Sequence, residues 1–270
     1  MIYRRSLVAL LCSLCFSVVN LLPRPLRAQA EGQQLRIAAA ADLQWAMSEL
    51  RRQYESLTHT KLEVTYGSSG NFFSQIHNGA PFDLFLSADV DYPQRLQAAG
   101  LAEPQSLYTY AQGQIVLWAL PNGGINLAKL QWNALSQNRV LKIAIANPEH
   151  APYGRAGVAA LQKAGIYDQV RQKLVYGENI AQAALFVQSG NAQIGILAKS
   201  LALSPAMKTG QLWQIPDNLY PPIQQAAVVL NNASNRDAAH AFLQFLKSDA
   251  ARSILASNGF TVPDAQNSGQ

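Results

Sequence analysis

KLEVTYGSSGNFFSQIHNGAPFDLFLSAD, residues 61–89, decides how this chain folds. It opens on a short β-prone run, turns through Gly67-Ser68-Ser69-Gly70, and continues as a helix-like stretch that stops at Gly79. A second apolar run, FDLFLSAD, follows directly. Strand, turn, helix and strand in that order predict two parallel strands with the helix packed on one face of their sheet. The turn raises a functional question as well, because two hydroxyls lie between two glycines just where a helix begins.

The pattern extends in both directions. LRIAAAA (35–41) reads as a buried strand. DLQWAMSELRRQYESL reads as a helix, with Leu43, Met47, Leu50 and Tyr54 on one face and Asp42 at the N-cap position. YPQRLQAAG is a helix stopped by Gly100. A second unit of the same kind begins at QIVLWAL (114–120) and runs through LKIAIANPEH (141–150), RAGVAALQKAG, KLVYGENI, AQAALFVQSG and AQIGILAKSLAL. YPPIQQAAVVLNN (220–232) returns as an extended segment, and RDAAHAFLQFLKSDAARSILASNGF closes the chain in one or two helices. The fold class predicted is α/β, two-lobed, each lobe a mostly parallel sheet flanked by helices. Two hinge crossings, near 109–114 and 221–227, join the lobes, and a terminal helix docks back on the first. The expected boundaries are 31–110 with 226–262 for lobe 1, 111–225 for lobe 2, and 263–270 for a disordered tail.

The first thirty residues belong to a different argument. Arg4 and Arg5 precede an apolar run from Leu7 to Leu22, and Ala28-Gln29-Ala30 is a small-x-small cleavage signal. They read as a secretory signal peptide cut after Ala30, with a retained membrane anchor as the alternative. Both cysteines, Cys12 and Cys15, lie inside this run, so the mature chain has no thiol chemistry. The leader also holds four of the 21 basic residues and none of the 16 acidic ones, leaving 17 against 16. The sequence pI of 9.2 therefore overstates the basicity of the working protein. No basic stripe suggests nucleic acid.

In open α/β sheets ligands bind beyond the carboxyl ends of the strands. The informative loops are then AAAADL, YGSSGNFF, SADVDYP, ANPEHAPYG and YGENIAQA. A helix start offers unpaired N–H groups and the positive end of a dipole. Serine hydroxyls add donors, and glycine lets the backbone come close, so these turns suit an oxyanion without help from lysine or arginine. For the 67–70 loop alone, an ordinary cap at Ser68 or Ser69 explains the residues as well. Four such turns, two in each lobe around one cleft, favour a binding role. A nucleophile elbow fails, because Gly70 and Asn71 follow Ser69 where the glycine should come second. No zinc spacing, P-loop or dinucleotide fingerprint is present.

AAAADLQWAM, NGAPFDLFLSAD, NPEHAPYGRAGVAALQKAG and LVYGENIAQAALFVQSGNAQIGI resemble the periplasmic molybdate-binding proteins of bacterial molybdate ABC importers. The resemblance runs from about residue 35 to 262. It implies a periplasmic-binding-protein fold and a site for molybdate or tungstate between the lobes. The ligand hydroxyl falls on Ser69, the second-lobe amides on Tyr153 and Ile180, and the first-lobe contact on Ala41 and Asp42. It further implies a monomeric, periplasmic solute-binding protein that serves the membrane permease of an ABC importer, is not an enzyme and needs no cofactor. Another tetrahedral oxyanion such as sulfate is the alternative ligand. An exported hydrolase using Ser69 with His150 is the alternative from another class.

Two positions depart from the family. Ala198 stands where one branch has a ligating tyrosine, and Asp42 where Ser or Asn is common. A carboxylate about 4 Å from a dianion is repelled by roughly 2 kcal/mol even in bulk water. Asp42 is expected either to cap its own helix or to be neutralised by Lys199 or Arg155; protonation is the third route.

Overall fold

The computed structural model describes residues 34–263, which fall in one structural unit. The expected signal peptide (1–30), and all of the expected tail (263–270) except Pro263, lie outside the described residues. The strands are β1 (Gln34–Ala40), β2 (Lys61–Gly67), β3 (Leu84–Ser87), β4 (Tyr108–Gly113), β5 (Ile115–Ala119), β6 (Ile143–Ala146), β7 (Leu174–Gly177), β8 (Ile194–Ala198), β9 (Gln211–Gln214) and β10 (Ile223–Val229). The helices are α1 (Gln44–Leu57), α2 (Ser69–His77), α3 (Asp91–Ala98), α4 (Leu127–Leu130), α5 (Pro152–Lys163), α6 (Tyr167–Val170), α7 (Ile180–Gln188), α8 (Lys199–Ala202), α9 (Arg236–Leu246) and α10 (Asp249–Ser257). Among the described residues no helix is long and apolar enough to cross a membrane.

Among the described residues ten strands make two five-stranded sheets, β2-β1-β3-β10-β4 and β7-β6-β8-β5-β9. The orders correspond. In each sheet a central strand, β1 or β6, is flanked by two parallel neighbours, and the two remaining strands join antiparallel. The sheets are thus mostly parallel with one opposed strand, β10 in the first and β5 in the second. The reason is that β10 and β5 are the crossing strands. Each enters its sheet from the other lobe, and so runs against the βαβ strands beside it.

The crossings are short. Only Gln114 separates β4, in the first sheet, from β5, in the second. The return runs from β9 into β10, where the register with β4 shifts between Gln225 and Ala226. Ala226 pairs with Thr109 and Gln225 with Ala111, so Tyr110 is the extra residue of a β-bulge. The sheets change hands just beyond residue 113, and the 225/226 boundary read from the sequence falls inside β10.

The first core packs Leu35, Ile37 and Ala39 of β1 with Met47 and Leu50 of α1 and with Phe242, Leu243 and Leu246 of α9. Tyr54 meets Phe242 edge to face, with ring centroids 5.0 Å apart. This is the expected docking of the terminal helices on the first lobe. The second core is built on Ile143, Ile145, Ile194 and Ile196 and also takes in Ala40, Ala41 and Ala88 of the first lobe. The two lobes therefore meet in direct contact.

Candidate functional site

The loops after β1, β2, β3, β6 and β7 meet between the sheets, beyond the carboxyl ends of these strands. They enclose a small cavity lined by Ala40, Ala41, Asp42, Ser69, Tyr153 and Ile180, among others. All five residues singled out from the sequence are brought together there. Among the described residues no lysine, arginine or histidine lines it. A larger cavity opens beside it, around Asp89, Arg155 and Pro221–Pro222, and shares Ala88 and Pro152 with the small one.

The backbone at three helix starts supplies what the small cavity offers. At the start of α2, Gly70 N–H donates to the His150 carbonyl (2.9 Å), Asn71 N–H to Ser68 Oγ (3.4 Å), and Phe72 N–H to the Ser68 carbonyl (3.1 Å). Ser69 N–H remains. At the start of α5, Pro152 has no N–H, and Gly154 and Arg155 both donate to the Ala151 carbonyl. Tyr153 N–H remains. At the start of α7, Asn179 Oδ1 caps Ala181 and Gln182 at 3.0 Å each, and Ala183 donates to the Asn179 carbonyl. Ile180 N–H remains. Each of the three helix starts leaves one N–H without an acceptor among the described residues, and all three residues line the cavity. First-turn N–H groups have no partner inside their own helix. A 3-10 turn, Ala41–Leu43, brings a fourth chain start to the same place.

The two serines divide their work. Ser68 is the cap of α2. Ser69 is fully buried, and its Oγ accepts from the Ala88 N–H at 2.9 Å. That bond uses a lone pair and leaves the hydroxyl proton to donate into the cavity. The pairing that a hydrolase would need is not made. The His150 ring bonds through Nε2 to the Glu178 carbonyl (3.0 Å).

Asp42 departs from expectation. Neither its own turn nor α1 receives a side-chain cap. Lys199 Nζ donates to Gln114 Oε1 (2.8 Å), and Arg155 pairs with Asp89 and donates to the Tyr92 hydroxyl, so neither cation reaches Asp42. The fully buried carboxylate instead accepts at Oδ2 from the Tyr153 hydroxyl (2.8 Å) and from Gln225 Nε2. Gln225 Nε2 also donates to the Tyr153 oxygen (3.0 Å), and Gln225 Oε1 accepts from the Tyr110 hydroxyl (2.9 Å). The Asp42 carbonyl is held by Ser200 Oγ (2.8 Å), whereas Asp42 Oδ1 is buried without a partner among the described residues. Burial raises the Asp42 carboxyl to about 6, against the smaller opposing effects of Gln225 and Tyr153. Burial, then the Asp42 charge, pushes the Tyr153 hydroxyl well above its ordinary value, so it remains a donor. A Cβ on Gly113 would lie 2.1 Å from the Tyr153 hydroxyl oxygen, so this cluster needs a glycine there. Sequence reasoning found Asp42 but missed Tyr110, Gly113 and Gln225. They lie on β4 and β10, outside the strand-exit loops.

Two α/β lobes closed over a cradle of helix-start amides and one hydroxyl define a binding protein for a small anion. The chain belongs to the family of bacterial extracellular solute-binding proteins, whose model matches residues 35–261. It is similar to the molybdate-binding protein ModA of Azotobacter vinelandii, at 38% identity over 232 residues, covering 86% of this chain and 91% of the relative. ModA of Rhodobacter capsulatus is 36% identical over 225 residues, covering 83% and 87%. The solved periplasmic molybdate-binding protein of Azotobacter vinelandii superimposes with a TM-score of 0.79 at 33% identity, covering 85% of this chain and all of that one.

Proposed function

We propose that this chain is an extracytoplasmic solute-binding protein that captures molybdate in the interlobe cleft and delivers it to the membrane permease of an ABC importer. Tungstate, with the same shape and charge, is taken as well. The observation that carries this reading is the convergence of three leftover N–H groups and the Ser69 hydroxyl on one cavity that no cationic side chain among the described residues lines. Such a cradle suits a fully ionised tetrahedral oxyanion, whose charge is met by oriented dipoles. Ala41, Asp42, Ser69, Tyr153 and Ile180 form the ligand shell, with Asp42 contributing through its backbone. The protein works without catalysis or cofactor, as a monomer in the periplasm, after its leader is cut behind Ala30. Binding stabilises the closed lobes because the ligand touches both only when they close.

Isothermal titration of residues 31–270 with molybdate, tungstate and sulfate tests this. Tight binding of the first two and none of sulfate is the expected result, since sulfate is smaller and leaves the cradle's donors unmet. Sulfate binding at equal strength would move the assignment to a general oxyanion binder. Binding of none of the three would overturn it.

A further inference from the structure

A carboxylate at the edge of an anion cradle demands an explanation, and its neighbours give one. Asp42 sits on the first lobe, Tyr153 on α5 of the second, and Gln225 on the returning crossing strand. Gln225, Tyr110 and Gly113 do not line the cavity, yet Asp42 Oδ2 is bonded on their side. Gln225 is itself held by the bulged Tyr110, and the absent side chain of Gly113 leaves room for the Tyr153 hydroxyl. We propose that Tyr153 and Gln225 form a clamp that draws the Asp42 carboxylate away from the bound oxyanion, so that the anion meets the Asp42 amide and not its charge. Tyr153 thus contributes twice, its amide to the ligand and its hydroxyl to the clamp. Gln225 is a positioning residue that never touches the ligand.

The clamp also couples charge to closure. Tyr153 reaches Asp42 only while the lobes are together. When they part, the carboxylate loses a donor, and its less compensated charge repels the anion more strongly. One residue thereby supports release in the open state and is silenced in the closed one. This inference rests on the oxyanion reading above.

The test is a double-mutant cycle at pH 8, with molybdate as the probe. Tyr153→Phe and Gln225→Leu are made in the Asp42 protein and in the Asp42→Asn protein. In the Asp42 background each should weaken molybdate binding by about tenfold or more, since a buried charge is left under-bonded beside the ligand. In the Asp42→Asn background the losses should be clearly smaller, no more than roughly twofold for Gln225→Leu. Equal losses in both backgrounds would mean a merely structural role and would overturn the clamp. The same six proteins are melted without any anion. The drop in Tm for Tyr153→Phe and for Gln225→Leu should be clearly smaller once Asp42 is Asn, and equal drops would also overturn it. This second measurement decides the clamp even if the unmodified protein binds no molybdate, an outcome that would sink the ligand assignment alone.

Discussion

Asp42 is the residue at which function and stability pull in different directions. In the unfolded chain its carboxyl ionises near 3.8, and in the fold near 6. The folded state therefore holds the proton more tightly. Stability from this group is fully present below pH 3.8 and is lost as pH rises through about 6. The difference corresponds to roughly 3 kcal/mol. Asp42→Asn removes the buried charge and keeps the shape. It should raise the Tm at pH 8 and have little effect at pH 4, as thermal melts across this range would show. A Tm gain equal at both pH values would mean that the effect is packing rather than ionisation. Nothing local in the sequence reveals this residue's partners, which lie 111 and 183 residues away. The reading of Asp42 as a cap failed because a propensity for caps says nothing about a tertiary acceptor site waiting elsewhere.

The helix starts are the elements that make the proposed site, and α2 allows their two roles to be separated. Ser68→Ala removes a cap and should cost about 0.5–1 kcal/mol of stability with near-unchanged affinity. Ser69→Ala removes the hydroxyl at the cavity and leaves the Ala88 N–H unpaired. It should weaken oxyanion binding by roughly tenfold or more and also lower stability by about 1–3 kcal/mol. Calorimetric titration and melting of both variants check this. If Ser68→Ala carried the affinity loss instead, the roles assigned to the two hydroxyls would be reversed. The five cleft residues themselves came from the family resemblance, whereas the βαβ runs and the loops around the cleft were legible because strand-exit loops and helix stops leave local marks, such as Gly79 and Gly100, both at positive φ. The strand β9 was not, since each of its four residues is only half buried and its pattern carries no alternation. The antiparallel sense of β5 and β10 was not either. It is set by which lobe the chain comes from, which no window of sequence contains.

At the scale of the molecule, the structure is a closed cleft. Gly70 N–H bonds the His150 carbonyl, Asn71 Nδ2 bonds Glu178 Oε1 (3.2 Å), and Arg155 pairs with Asp89 across it. A Cβ on Gly70 would lie 2.7 Å from the His150 oxygen, on the opposite lobe. Gly70→Ala should therefore hinder closure. Saturating molybdate should contract the unmodified protein in small-angle scattering and raise its Tm, by about 2.7 kcal/mol of added stability at one hundred times Kd. The alanine variant should show little contraction and bind at least roughly tenfold more weakly. Full contraction of that variant would show that the Gly70–His150 approach is not needed for closing. The proposed cradle has one more consequence, because no basic side chain among the described residues lines it. Residues 31–270 carry 17 basic and 16 acidic groups, a formal charge of +1. A dianion taken up without a counter-cation turns this to −1. The empty and the loaded protein thus differ in the sign of their net charge, and they should separate in an electric field or on an ion exchanger with no label attached.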